Sequence, residues 1–319
     1  MEREVVLLST GGTIAMRGGL AVPADGPEAL LEQAGLRGVR ARALLDAPGA
    51  HLTLEQALRV AREAAAAAAA GAGVVVTHGT DTLEETAFLT DLLHGDGAPI
   101  AFTGAIRPAS APGADGPANL LDAVAVARAP HAAGIGAVVV FGGEVHAARE
   151  VRKSDSSAPA AFASPAGGPL GRVVEGRLAL RALPVRTGPL PPVERLDFRV
   201  PIVVAALGDD LALLDAAVRD GADGAVVVAL GGGHLAPPAL ARLGAAAAAV
   251  PVVLAVRPER GALLRETYGF EGAEGDLRAT GAIPAGALSP QAARIKLLAC
   301  LGAGLRGEAL AAAFGADEI

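Results

Sequence analysis

The chain has 319 residues, enough for one large or two ordinary domains, and 52% of them are hydrophobic while only 3% are aromatic, so its core must be built from Ala, Val and Leu. A net charge of −7 with no basic run argues against nucleic acid as the main partner, and the single cysteine, Cys300, excludes an internal disulfide and suits the cytoplasm. The longest apolar stretch, around Ala64–Ala70, is too short and too weakly apolar to cross a bilayer, and Met1-Glu2-Arg3-Glu4 opens no signal-peptide pattern, so the expectation is a cytoplasmic protein without a membrane partner.

In chain order, Val5–Ser9 reads as a strand and Leu54–Ala70 as a helix. Strand Val74–Thr77, helix Leu83–Leu93, strand Ile100–Thr103, helix Pro117–Ala129 and strand Ala137–Phe141 follow. Short apolar runs alternating with helical segments imply βαβ units and a parallel sheet. Arg172–Arg181 reads as a hairpin turning at Glu175-Gly176. A passage with Pro184, Pro189, Pro191 and Pro192 reads as a linker. The alternation then restarts with strand Ile202–Ala206, helix Asp209–Arg219, strand Ala225–Ala229, helix Pro237–Ala249 and strand Val252–Val256. Two helices close the chain, one of them opened by Ser289-Pro290. The expected class is α/β: a larger N-terminal parallel-sheet domain over residues 1–183, a linker over 184–200, and a smaller C-terminal α/β domain over 201–319.

Polar residues gather where these strands end. Val74-Val75-Val76 stops at Thr77-His78-Gly79-Thr80-Asp81-Thr82 before the next helix, and ligands of open parallel sheets bind at the carboxyl ends of strands. Asp81 or Thr82 could cap that helix, with Glu85 at the capping-box spacing from Thr82, but capping uses only one or two of these polar side chains. The first strand ends in Ser9-Thr10-Gly11-Gly12-Thr13-Ile14-Ala15, where paired glycines allow close backbone approach and Thr13 offers a hydroxyl. No Gly-Lys-Ser/Thr follows, so this is not a phosphate-binding loop. The six histidines form no His-x-x-x-His or His-Glu-x-x-His pattern, so neither a metal nor a cofactor is expected. A threonine hydroxyl is a poor nucleophile at neutral pH and needs a base or cationic partner, which a lysine arriving from elsewhere in the chain could supply.

In combination, "TGGTIA" (Thr10–Ala15), "THGTDTLEETAF" (Thr77–Phe88), "TGAIRP" (Thr103–Pro108), "ADGPANLLDAV" (Ala114–Val124), "REVRKSD" (Arg149–Asp155) and "LSPQAAR" (Leu288–Arg294) resemble the bacterial-type L-asparaginases. The match runs nearly the whole chain, in order. The resemblance implies hydrolysis of L-asparagine to L-aspartate and ammonia through an acyl-enzyme, two α/β domains, and a homo-oligomer, a dimer or tetramer. It makes Thr13 the nucleophile and Thr80, Asp81 and Lys153 the second half of the site. Asp81 would bind the α-ammonium of a small amino-acid amide, and amide N–H groups near Gly12 and Thr80, beside Gly79, would hold the oxyanion. His78 reads as structural or shielding rather than as a base.

Three departures from the family pattern, and one candidate that would fulfil it, bear on this expectation. The loop Met16–Pro27 has no tyrosine where asparagine-hydrolysing relatives usually carry one; the chain's only tyrosine is Tyr268. Gly49, with His51 nearby, stands where relatives often have a serine for the substrate carboxylate, so a Gly49→Ser exchange would be expected to tighten binding. His234 stands where relatives often have asparagine. Glu274, with Glu271 second, is the acid that a neighbouring subunit would lend to the substrate amine. These departures keep open a second reading, a substrate-shifted or non-catalytic relative that binds a small amide or amino acid.

Overall fold

The structure, a computed structural model, describes residues 3–18 and 22–315. The chain divides into two units, Met1–Pro189 and Leu190–Ile319.

The first unit is built on an eight-stranded sheet in the order 177–180, 171–174, 144–147, 137–141, 100–103, 73–77, 5–9, 39–43. The five strands from 39–43 to 137–141 run parallel, and the remaining three join antiparallel. Gly73–Thr77 and Ala137–Phe141 are buried along their whole length, as Val-rich strands covered on both faces must be. The scarcity of aromatics is met by alanine. Helix Leu54–Ala69 buries Ala57, Ala61, Ala64 and Ala68 and packs on helix Leu83–Leu93. It starts on a capping box between Thr53 and Gln56.

Leaving the first strand, the chain forms Val39–Ala43 on one side of it and later returns to Gly73–Thr77 on the other. Strands 5–9 and 73–77 are therefore neighbours whose connections depart in opposite directions. Their carboxyl ends frame the crevice where open α/β sheets bind ligands. Register pairs Ser9 with Thr77, so "TGGT" and "THGTDT" emerge side by side. Thr10 fastens the join, since its N–H (3.0 Å) and its hydroxyl (2.9 Å) both donate to the Thr77 carbonyl.

The second unit has a four-stranded parallel sheet, Ile202–Val204, Ala225–Ala229, Val252–Val256 and Ile283–Pro284, with its own core around Leu214, Val227, Leu243 and Leu254. Ser289 caps helix Pro290–Gly302 by accepting from the Ala292 N–H, with Pro290 at the first helical position. Among the described residues no helix is long and apolar enough to cross a membrane.

Several elements depart from the sequence expectation. Val39–Ala43 is an edge strand whose arginines alternate outward, with Arg40 on Glu4 and Arg42 on Glu63, a charged pattern that hides its strand character. Glu144–Ala147 and the two-residue pairs Met16–Arg17 with Val22–Pro23 and Arg152–Lys153 with Phe162–Ala163 carry too few residues to show a period. The capping box expected at Thr82 does not form: its hydroxyl donates instead to the Gly49 carbonyl at 2.8 Å. Part of the tyrosine-free loop, residues 19–21, lies outside the described residues.

The loop ends of the sheet are tied by one buried amide. Asn119 donates to the Gly104 carbonyl (3.0 Å) and to Asp115 (3.2 Å) and accepts from the Gly142 N–H (3.1 Å). Asn119→Leu would leave the Gly104 carbonyl and Gly142 N–H unpaired, at a cost of about 1–3 kcal/mol. Urea denaturation of the purified variant checks this; an unchanged midpoint would mean that these groups find other partners.

Candidate active site

The site grows from three glycines. Gly12 lies at φ 84°, and a Cβ there would come within 2.6 Å of the Gly79 Cα and N. A Cβ on Gly79 would meet the Gly49 N at 2.4 Å, and one on Gly49 would meet the Gly79 carbonyl oxygen at 2.8 Å. The ends of two strands and the turn Gly49–His51 thus pack backbone against backbone, a spacing that no side chain permits. Thr13 and Thr80 follow directly on two of these touching glycines, so the contact also brings the two threonines to one place.

Thr13 begins a 3-10 turn, Thr13–Ala15, and is partly exposed. Its hydroxyl has no hydrogen-bond partner among the described residues. Thr80 is buried at 6% exposure. Lys153 donates from Nζ to Thr80 Oγ1 at 2.9 Å and to Asp81 Oδ1 at 3.0 Å. With Thr80 Oγ1 accepting from an ammonium, its own proton is available for donation elsewhere. Asp81 is 56% exposed, so its contact with Lys153 is solvent-screened, and its second oxygen has no partner among the described residues.

Lys153 arrives on the short pair Arg152–Lys153 with Phe162–Ala163. The second of these strands is anchored to the main sheet: Phe162 packs on Phe141 at 4.9 Å, and Ser164 Oγ lies 3.1 Å from His146 Nδ1. On the lysine's own strand, the Lys153 N–H donates to Glu84 Oε2, on the first turn of helix Leu83–Leu93. Burial raises the Glu84 pKa; the Lys153 N–H and the Arg152 and Lys153 charges oppose it. Glu84, Ser164 and His146 carry no sequence signal for such a role. Glu84 looks like an ordinary acid at a helix start.

His78 is fully buried, and its Nδ1 lies 2.8 Å from the Gly79 carbonyl. A carbonyl only accepts, so Nδ1 carries the proton. Burial lowers the pKa from 6.5 to about 4, with the Gly79 bond opposing, so the ring is neutral at pH 7 and holds the glycine turn.

The expected set is therefore only partly united. Gly12, Gly49, Gly79, Thr13, Thr80, Asp81 and Lys153 belong to one constellation in the first unit. His51 is exposed on the turn that carries Gly49. The serine expected to improve on Gly49 does not fit, because its Cβ would strike the Gly79 carbonyl. Glu274 belongs to the second unit and is 0% exposed, with Oε1 accepting from the N–H groups of Thr267 and Tyr268. Its Oε2 faces His234 Nε2 at 3.6 Å, and His234 stacks edge-on to Tyr268 and Phe270. Burial works against its charge, but these N–H groups and its own, with His234, hold the carboxyl below its usual pKa. Glu271 is exposed. Among the described residues no three His, Cys, Asp or Glu are grouped to hold a metal ion.

Two family descriptions match the chain: Asparaginase, N-terminal, over residues 4–186, and Glutaminase/Asparaginase C-terminal domain, over residues 199–314. A protein from Deinococcus radiodurans named "Probable L-asparaginase" is 39% identical over 314 residues, covering 96% of this chain and 95% of that protein. One from Haemophilus influenzae named "Probable L-asparaginase periplasmic" is 32% identical, covering 92% of this chain and 87% of that protein. A crystal structure described as a probable cytoplasmic L-asparaginase from Campylobacter jejuni superposes with a TM-score of 0.86 at 28% identity, covering 98% of this chain and 99% of that one.

Two outcomes test this geometry. Gly49→Ser, or the smaller Gly49→Ala, should lower stability by roughly 1–3 kcal/mol through overpacking and should weaken rather than improve activity. A thermal melt with an activity assay checks it, and a variant as stable as wild type with tighter substrate binding would contradict the contact. For His78, the folded pKa lies below the unfolded one, so its contribution to stability is intact above pH 6.5 and is lost as pH falls from there to about 4. The loss amounts to roughly 3 kcal/mol. NMR of the histidine rings should show His78 neutral down to about pH 5; a midpoint near the usual histidine value would refute its burial as a neutral ring.

Proposed function

Because the chain belongs to the asparaginase family, we propose that it hydrolyses L-asparagine to L-aspartate and ammonia, with Thr13 as the nucleophile. One observation carries the reading of the site: Lys153 bridges Thr80 and Asp81, beside the glycine contact that Thr13 and Thr80 flank.

In the first step Thr13 Oγ attacks the side-chain amide carbon of the substrate. The Thr13 proton passes to the Thr80 hydroxyl as that hydroxyl hands its own proton on toward the amide nitrogen, and the positive charge of Lys153 favours the developing alkoxide. Backbone N–H groups near Gly12 and Thr80 receive the oxyanion, at about 3 kcal/mol for each well-placed donor. As the C–N bond breaks, a proton passes to the nitrogen, which departs as ammonia. Water then attacks the Thr13 ester, aspartate leaves, and the hydroxyl is restored. The second oxygen of Asp81 suits the substrate's α-ammonium, and His51 and the Gly49 turn are assigned to its carboxylate. No tyrosine in the loop after Thr13 assists the nucleophile, so Lys153 and Thr80 bear that task.

The active form is proposed to be a dimer or tetramer, with Glu274 meeting the amine of a substrate held by a second copy; for that the turn Thr267–Phe270 over Glu274 must open. Cytoplasmic location is proposed from the likeness to the Campylobacter jejuni structure, which is described as cytoplasmic, although a relative is described as periplasmic.

The test is ammonia release from L-asparagine. Thr13→Ala should abolish it in a folded protein. Lys153→Met should lower kcat by about 100-fold or more with a smaller change in KM, because the lysine acts on proton transfer rather than on ground-state binding. Near wild-type turnover by Thr13→Ala would overturn the nucleophile assignment.

A further inference from the structure

We propose that Glu84 is a positioning residue for the reaction: its carboxylate fixes the backbone of Lys153, so that the ammonium falls on Thr80. The proposal rests on the reading of Lys153 as the group that acts on Thr80.

A lysine ammonium sits at the end of a flexible four-carbon stem. It can be placed no better than its own Cα, and the element that holds this Cα is weak. The strand Arg152–Lys153 is two residues long and, among the described residues, pairs only with Phe162–Ala163. Two-stranded ribbons are marginal by themselves. The partner strand has anchors of its own at Phe141 and His146. Downstream, the Ser154 and Asp155 N–H groups both turn back to the Ala161 carbonyl, inside the same small loop. Of the described contacts of the Lys153 main chain, the one that reaches the catalytic turn is the bond from its N–H to Glu84 Oε2.

That bond has a geometric consequence. Thr80, Asp81 and Glu84 lie within one turn where the chain enters helix Leu83–Leu93. Lys153 is gripped by this segment at both ends, its main chain by Glu84 and its ammonium by Thr80 and Asp81. The distance from the lysine backbone to Thr80 is then set by one rigid helix start and not by the loop. An acid there purely for the helix dipole could stay in water, as a charged group prefers. Glu84 is instead drawn in, where a carboxylate is stable only with hydrogen-bond partners, and the Lys153 N–H is such a partner.

The experiment compares kcat and KM for ammonia release from L-asparagine in wild type, Glu84→Ala, Glu84→Gln, Glu84→Asp, Lys153→Met and the Glu84→Ala/Lys153→Met double variant. Glutamine keeps an oxygen at the same reach without the charge, whereas aspartate keeps the charge but withdraws it by one methylene. The expected order is Glu84→Gln within about fivefold of wild-type kcat, and Glu84→Asp and Glu84→Ala at least about tenfold below it, with KM moved less than about threefold. Because Glu84 acts through Lys153, the double variant should be no slower than Lys153→Met alone. Losses that multiply in the double variant, or an order in which aspartate outperforms glutamine, overturn the positioning role. If Glu84→Ala does not fold, the glutamine and aspartate variants decide by themselves. Wild-type kcat in Lys153→Met would overturn the catalytic reading of Lys153, and this proposal with it; a slow Lys153→Met beside a wild-type Glu84→Asp overturns this proposal alone.

Discussion

The candidate site hangs on the backbone contact among Gly12, Gly49 and Gly79. Three segments from separate parts of the sequence meet with no side chain between them, and the positions just after Gly12 and Gly79 are the two threonines of interest. The contact lies at the point where the order of the parallel sheet reverses, so the crevice there follows from topology, while the glycines set how near its walls approach. His78 belongs to the same device, as a neutral buried ring bonded to the Gly79 carbonyl.

Around this contact the polar groups separate by task. Thr10, Thr82 and Asn119 tie loops to one another through backbone carbonyls and N–H groups. Thr80, Asp81 and Lys153 form a short chain in which one ammonium serves two oxygens. The Thr13 hydroxyl has no hydrogen-bond partner among the described residues, so no bond within the fold has to break for it to attack. Lys153 is the least securely based of the four, because it arrives on a two-residue strand and relies on contacts beyond that strand to keep its place.

The second unit shows a carboxylate managed differently. Glu274 is enclosed by the turn at Thr267 and Tyr268 and faces His234. The N–H groups that surround it keep it ionised in spite of burial. Tyr268 and Phe270, whose rings pack on His234, remain half exposed.

Much of this was legible in the sequence. Val-rich runs such as Ala137–Phe141 and Ala225–Ala229 announce buried parallel strands, because only a strand covered on both faces tolerates unbroken apolar character. Paired glycines before Thr13, and polar residues after Val76, marked the strand ends as the place for chemistry, and the order of the motifs pointed to the family. Tertiary structure decided the rest. A charged edge strand like Val39–Ala43 has no local apolar signature, and a two-residue strand like Arg152–Lys153 has no period to read. Thr82 could have capped its helix, but the Gly49 carbonyl, 33 residues away in sequence, takes its hydroxyl. Gly49 invited a serine in the sequence and forbids one in the fold, because the obstacle is the carbonyl of Gly79. Local composition fixes which segments can be strands, helices and turns. Which oxygen meets which nitrogen depends on segments brought together from a distance, and that depends on packing the sequence does not display.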